Sequence, residues 1–295
     1  MTFSRRNFLA TSVGSCLTPL MPGLNVASGP GAAPYLDTHQ GVPFFINPAA
    51  RQLKTMYDAK TLAVVHAAGV PTDLRSHFEV QVMVGQGVGR TEASPNGSGW
   101  LARHLLAKNT ERSDFSAVSD GTGLTTSLDG LGGSLSFSNL ASLGGALYGR
   151  FADAITAMHP GDTPLELSVQ TAVRVAAAVR EKANAIPAGP SGGNYTYGAL
   201  SNVLRPLAQV IKMDVGVELA TADFLGWDHH EYLSNAFPQQ AGELGNALFA
   251  FNEDLGMHAK RVTVVMMTEF GRRVRENANN GTDHGAGAVM LIQGA

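Results

Sequence analysis

The chain has 295 residues, and its 21 Lys and Arg against 24 Asp and Glu leave a formal net charge of −3. That near balance, with charged residues only 15 % of the total and no basic run, gives no electrostatic case for nucleic acid or for an anionic membrane surface. Cys16 is the only cysteine, so no disulfide forms within the chain.

At the N-terminus, Ser4-Arg5-Arg6-Asn7-Phe8-Leu9 has the form of a twin-arginine export signal. The stretch from Phe8 to Val26 is broken by Pro19, Pro22 and several Gly, which leaves it too poor in large apolar residues for a stable membrane span. Val26-Ala27-Ser28 supplies the small residues of a cleavage region. Residues 1–28 are therefore read as a signal peptide and 29–295 as a single α/β domain, with the twin-arginine translocase as partner and a periplasmic or secreted destination. Cys16 follows Val13-Gly14-Ser15, a pattern also readable as a lipid-attachment box, though the apolar segment before it is very short. If cleavage falls at Ser28, the mature chain has no thiol for catalysis or for a thiolate zinc site.

Residues 28–43 read as a polar Gly/Pro linker. Asn47-Pro48 has the form of an N-cap with a first-turn proline and opens a helix to Asp58. Leu62 to Ala67 is a short apolar run, expected as a buried strand. Ser76-His77-Phe78-Glu79 has the Ser-x-x-Glu spacing of a capping box and starts the next helix. Ser98-Gly99-Trp100 leads into a helix to Lys108, and Asp114 to Ser119 reads as a strand. From Gly121 to Gly149 the chain is rich in Gly, Ser and Leu without a period. With the Gly/Pro/Ser loop at 187–198, it marks 121–198 as an irregular, cap-like insertion around an amphipathic helix at Thr171 to Ala185. The last third reads helix Leu200 to Met213, strand Val215 to Ala222, helix Pro238 to Leu255, strand Val262 to Thr268 and strand Val289 to Ile292. This alternation is the pattern of an α/β fold with a mostly parallel sheet and helices on both faces.

In such sheets ligands bind beyond the carboxyl ends of the strands, and the chemically capable residues fall there. Gly226-Trp227-Asp228-His229-His230-Glu231 carries a carboxylate and imidazoles spaced for half of a divalent-metal site, or else a short helix start with Asp228 as N-cap. Asn279-Asn280-Gly281-Thr282-Asp283-His284-Gly285 offers Asp283 and His284 in a glycine-flanked loop, where glycine permits close backbone approach to an ion or an oxyanion. The alternative is a Gly-rich turn with Asp283 on backbone amides. Between them, Glu269 stands as a ligand or base and Arg272 as a fork for phosphate or sulfate, or the two form a strand-end ion pair. Ser76, at a helix N-terminus, is either a nucleophile or simply a cap. His77 is a ligand or an acid.

Taken together, the twin-arginine start, Arg-Ser-His-Phe at 75–78, Gly-Trp-Asp-x-His at 226–230, Thr-Glu-Phe-Gly-Arg at 268–272 and Gly-Thr-Asp-His-Gly at 281–285 resemble a family known as a domain of unknown function, DUF1501. That family is grouped with the alkaline phosphatase and sulfatase-like superfamily. The resemblance implies an alkaline phosphatase-like fold, with Asp283 and His284 as paired ligands and Asp228 and His230 as another part of the metal site. It also implies a divalent metal, zinc, manganese or calcium, and a phosphate or sulfate ester as substrate. Three departures stand out. No Gly-Gly-x-Asp-Gly strand end occurs between residues 28 and 61, Gly285 is followed by Ala286 rather than by another His, and the chain stops at Ala295 within a strand. The sheet is then expected to lack the family's first strand, with a weakened or absent metal site. Two functions follow as expectations: a periplasmic metal-dependent ester hydrolase, or a non-catalytic secreted protein that keeps the fold as a binding module.

Overall fold

A computed structural model describes residues 35–39, 42–90, 92–108, 110–120, 125–140, 147–183, 186, 194–196 and 198–294. The twin-arginine segment, Cys16 and most of the loop at 187–198 lie outside the described residues. The chain is mixed α/β, with seven α-helices and four small sheets among the described residues, one of the sheets parallel. No described helix is long and apolar enough to cross a membrane.

The segment read as a linker, 28–43, overlaps an antiparallel hairpin of β1 (Tyr35–His39) and β2 (Val42–Phe45). A 3-10 turn then begins at Pro48, where the Asn47 side chain accepts from the Ala49 amide at 3.0 Å, and α1 (Arg51–Asp58) follows. The cap and proline thus act as their chemistry dictates.

Strand β3 (Leu62–Ala68) leads to α2 (His77–Gln86), α3 (Trp100–Ala107) and β4 (Ala117–Asp120). Within the stretch expected to be irregular, β5 (Leu135–Phe137) pairs parallel to β4, so part of it belongs to a sheet. Helices α4 (Gly149–Met158), α5 (Pro164–Ala183) and α6 (Ala199–Lys212) precede β6 (Leu219–Thr221), which closes the parallel sheet in the order β5-β4-β6. Helix α7 (Leu233–Leu255) starts five residues before Pro238, where the sequence placed its first turn. The preceding turn of helix accommodates a residue that cannot donate to it.

The largest departure from expectation is at the chain's end. Strand β7 (Val264–Met266) and β3 do not pair with each other. The final strand, β10 (Ala288–Gln293), lies antiparallel between them, in the order β3-β10-β7. Short apolar runs look the same in either direction, so pattern alone assigned them to a parallel sheet. Among the described residues only one face of this sheet is covered. Leu62 and Leu291 point into the core, while Val65 and Val265 are exposed on the opposite side at 39 % and 47 %. Among the described residues the expected layer of helices on both faces is therefore not present at this sheet.

The core joins this inner face to α1, α6 and α7 through Leu53, Met56, Leu204, Leu207, Leu248 and Phe251. Leu200, Leu204, Leu207 and Val210 recur at helical spacing, which gives α6 its buried stripe. Between α6 and α7, Lys212 Nζ pairs with Asp254 Oδ1 at 2.6 Å, and the Tyr195 hydroxyl donates to Asp254 Oδ2 at 3.2 Å. Burial and the Asp254 charge push the Tyr195 hydroxyl well above its ordinary value.

Candidate metal centre

Past β7 the chain makes a second antiparallel hairpin, β8 (Arg272–Glu276) with β9 (Thr282–His284), which places Arg272 directly opposite His284. Three pieces distant in sequence meet on it: the N-terminus of α2, the loop between β6 and α7, and the hairpin itself. His77, Asp228 and His284 present ligand-type atoms that all lie within 4.8 Å of one another.

Asp228 is the hub. Its Oδ1 accepts from Arg272 Nη1 at 2.6 Å and lies 2.9 Å from His284 Nε2 and 3.0 Å from His230 Nε2. Its Oδ2 is 3.2 Å from His77 Nε2, and the two Nε2 atoms of His230 and His284 are 2.9 Å apart. Burial alone would raise the Asp228 carboxyl. The Arg272 guanidinium, His284 and His230 outweigh it and hold the group well below the usual carboxylate range, so Asp228 is an anion at neutral pH.

The far sides of the three imidazoles are tied down. His77 Nδ1 meets Glu269 Oε1 at 2.5 Å, His284 Nδ1 meets the Arg75 carbonyl oxygen at 2.8 Å, and His230 Nδ1 approaches Asp283 Oδ1 at 3.5 Å. The Glu269 carboxylate and the Arg75 carbonyl can only accept, so Nδ1 of His77 and of His284 donates to them, and in a neutral ring the Nε2 atom of each then faces Asp228 as an acceptor. His77 Nε2 is buried without a hydrogen-bond partner, because its approach to Asp228 is close but misaligned. Bare Nε2 atoms beside the Asp228 carboxylate, two of them 2.9 Å from each other at His230 and His284, repel unless a proton or a cation lies between them. This donor set fits a divalent ion, with the outer hydrogen bonds that orient ligating histidines.

Glu269 sits after β7 and is fixed by three donors: His77, Gln81 Nε2 at 3.1 Å and Thr268 Oγ1 at 2.8 Å. Burial pushes its carboxyl up, but the His77 bond and the other donors bring the balance below the ordinary value. Arg272 is turned inward, its side chain only 6 % exposed. Its Nη1 goes to Asp228, Nε donates to Thr282 Oγ1 at 2.9 Å and Nη2 donates to the Thr282 carbonyl oxygen. It is a buried brace for Asp228 and β9 rather than a fork open to a ligand.

Ser76 occupies the N-cap position of α2, and its carbonyl accepts from the Val80 amide at 3.1 Å, yet its hydroxyl makes no capping bond. The capping-box reading thus holds for the backbone and not for the side chain. Ser76 stands between Arg75, whose carbonyl holds His284, and His77. Asp228 is not an N-cap either, since α7 begins at Leu233 behind Tyr232. Asp283 lies on the outer side of His230, its carboxyl drawn down mainly by the Asn277 amide.

Several residues carry the arrangement without any sequence signal. Asn277 Nδ2 donates to the His230 carbonyl at 2.8 Å and to Asp283 Oδ1 at 3.2 Å, while its Oδ1 accepts from the amides of Asn279 and Gly281. It ties both clusters together from within a run of polar residues where nothing distinguishes it. Phe270 packs its ring 4.7 Å from His77 and 4.6 Å from His284, and it was visible only as part of the Thr-Glu-Phe-Gly-Arg segment. His229, between the ligand-like residues, turns away to Trp227 and Phe237. Burial and the Arg272 charge lower its pKa.

The fold and the cluster define a mixed α/β protein with a histidine and aspartate centre assembled on a C-terminal hairpin. The chain matches the family described as "Protein of unknown function (DUF1501)" over residues 60–295, about four-fifths of its length, and belongs to that family. No curated protein and no solved structure matches it significantly.

Proposed function

We propose that the protein is a metal-dependent hydrolase of phosphate or sulfate esters, of the alkaline phosphatase and sulfatase type, exported by the twin-arginine route. The observation that carries the reading is the convergence of His77, Asp228 and His284 within 4.8 Å of one another, with His230 Nε2 beside Asp228 and His284. The grouping of DUF1501, which the motifs resemble, with that superfamily supports the reaction class, and Ser4-Arg5-Arg6-Asn7-Phe8-Leu9 supports export to the periplasm or beyond.

His77, Asp228, His230 and His284 would hold the ion. When bound, a divalent cation supplies a Lewis acid for the ester oxygens. Ser76 is the candidate nucleophile, because its hydroxyl is free of capping bonds and stands at the positive end of α2, which favours developing negative charge. Glu269 acts through His77 and Arg272 through Asp228, each fixing a side chain rather than touching substrate.

One observation favours the second reading, a binding module without turnover. Arg272, the side chain expected to hold the anion, is committed to Asp228 and Thr282. The test is direct: the full chain, purified from the compartment it reaches and supplied with zinc, manganese or calcium, is offered an aryl phosphate and an aryl sulfate. Hydrolysis is expected. Ser76→Ala should lower kcat by at least ~10²-fold while leaving metal content unchanged. Metal content without turnover of either ester would reject the hydrolase and leave the binding module.

A further inference from the structure

We infer that this centre is built for a single nitrogen-preferring ion of the zinc class, with His77 as a ligand and with Glu269 and Asp283 in the outer layer. The inference rests on the metal-dependent reading above and deepens it.

The first argument is the balance of donors. Three imidazole nitrogens and one carboxylate face the centre, and imidazole-rich sets suit zinc and its transition-metal neighbours. Calcium requires six to eight oxygens, and magnesium requires an octahedron of oxygens. The described carboxylates that would have to supply the extra oxygens are already engaged: Glu269 on Nδ1 of His77 and Asp283 beside Nδ1 of His230. Each lies on the side of its imidazole away from Asp228.

The second argument is size. Four ligands at bonds of roughly 2.0 Å from a tetrahedral ion stand about 3.3 Å apart. The contacts here are 2.9 Å between the Nε2 atoms of His230 and His284, 2.9 and 3.0 Å from Asp228 Oδ1 to His284 and His230, and 3.2 Å from the other oxygen, Oδ2, to His77. For these close pairs a slight outward movement accommodates zinc, whereas calcium, with bonds near 2.4 Å, would force them well apart. The third argument is number. Among the described residues this is the only group of three or more such side chains with metal-ligand spacing, so nothing there forms a second ion's cage.

His77 changes role on this reading. The sequence left it as an acid or a ligand. The Glu269 carboxylate fixes its Nδ1 proton and leaves its buried, unpartnered Nε2 aimed at Asp228. That is the carboxylate–histidine arrangement that orients a ligand.

The experiment uses the full-length protein stripped of metal and then exposed separately to zinc, manganese and calcium. Metal per chain is measured by elemental analysis after desalting, and the melting temperature is recorded for each ion. One zinc per chain is expected, with a rise of roughly 5–10 °C at a hundredfold excess over Kd, a smaller rise with manganese and none with calcium. His77→Gln should weaken zinc binding by at least ~10-fold, with an unchanged metal-free melting temperature. Two ions per chain, an equal response to calcium, or wild-type zinc affinity in His77→Gln would each overturn the inference while leaving a metal centre in place. No bound ion at all would overturn it together with the metal-dependent function.

Discussion

At the scale of single residues, the site is an argument about which atom of each side chain is occupied. His77, His230 and His284 have their Nδ1 atoms held by a carboxylate, a carboxylate and a carbonyl, and what remains is a set of Nε2 atoms around Asp228. Asp228 is held as an anion by Arg272, His284 and His230 together, and an arginine that looked like an anion fork is spent on it inside the protein. The Asn277 side chain makes four hydrogen bonds, two from its amide nitrogen and two to its oxygen, and so joins the His230 carbonyl to the turn that carries Asp283. Asn277→Ala should therefore lower zinc affinity by about 10- to 100-fold, the range typical of lost outer-layer partners. Titration calorimetry on the metal-free protein checks this. Affinity equal to that of the wild type would show that the hairpin holds its ligands without Asn277.

At the scale of elements, the β8–β9 hairpin brings the centre together. Its glycines serve backbone packing rather than ion approach. A Cβ at Gly281 would overlap the carbonyl of His230, and one at Gly285 would overlap the backbone of Arg272, so at both positions two backbone segments pass in contact. Gly281→Ala should displace the 228–231 loop, cost about 2 kcal/mol or more, and abolish metal binding. Gly132→Ala, with open space around the position, is the control and should change neither. Thermal unfolding of both variants measures the difference, and equal melting temperatures would refute it. The long elements were legible beforehand because their signals are local. Asn47-Pro48 caps, and the apolar spacing of residues 199–212 makes a helix wherever it lies. The hairpin at 272–284 was not legible, because its strands are polar, short and held by long-range contacts such as Arg272 to Thr282. The hairpin at 35–45 was missed for a related reason: a Gly/Pro-rich flank resembles a linker until its pairing partner is known.

At the scale of the whole molecule, one core binds α1, α6 and α7 to the inner face of the β3-β10-β7 sheet, and the buried Lys212–Asp254 pair lies within it. With side chains only 13 % and 5 % exposed, breaking this pair leaves an uncompensated charge in a poorly solvated place. Lys212→Met should cost about 3–5 kcal/mol. Lys54→Met, which breaks a solvent-exposed pair with Asp58, should cost less than about 1 kcal/mol. Chemical denaturation of the two variants distinguishes them, and similar losses would show that the Lys212 pair is no more buried in effect than the Lys54 pair.

The amino-acid sequence by itself determined the family, the mixed α/β class, most helices and the four short segments that hold the chemically active residues. These depend on local spacing, capping and composition, which are written along the chain. Tertiary structure alone decided that β10 runs antiparallel between β3 and β7, that Arg272 faces inward, and that His77 turns its Nε2 to a carboxylate 151 positions away at Asp228. Strand direction and ligand convergence depend on which distant surfaces bury one another and which lone pairs are already taken, and no periodicity along the chain encodes either.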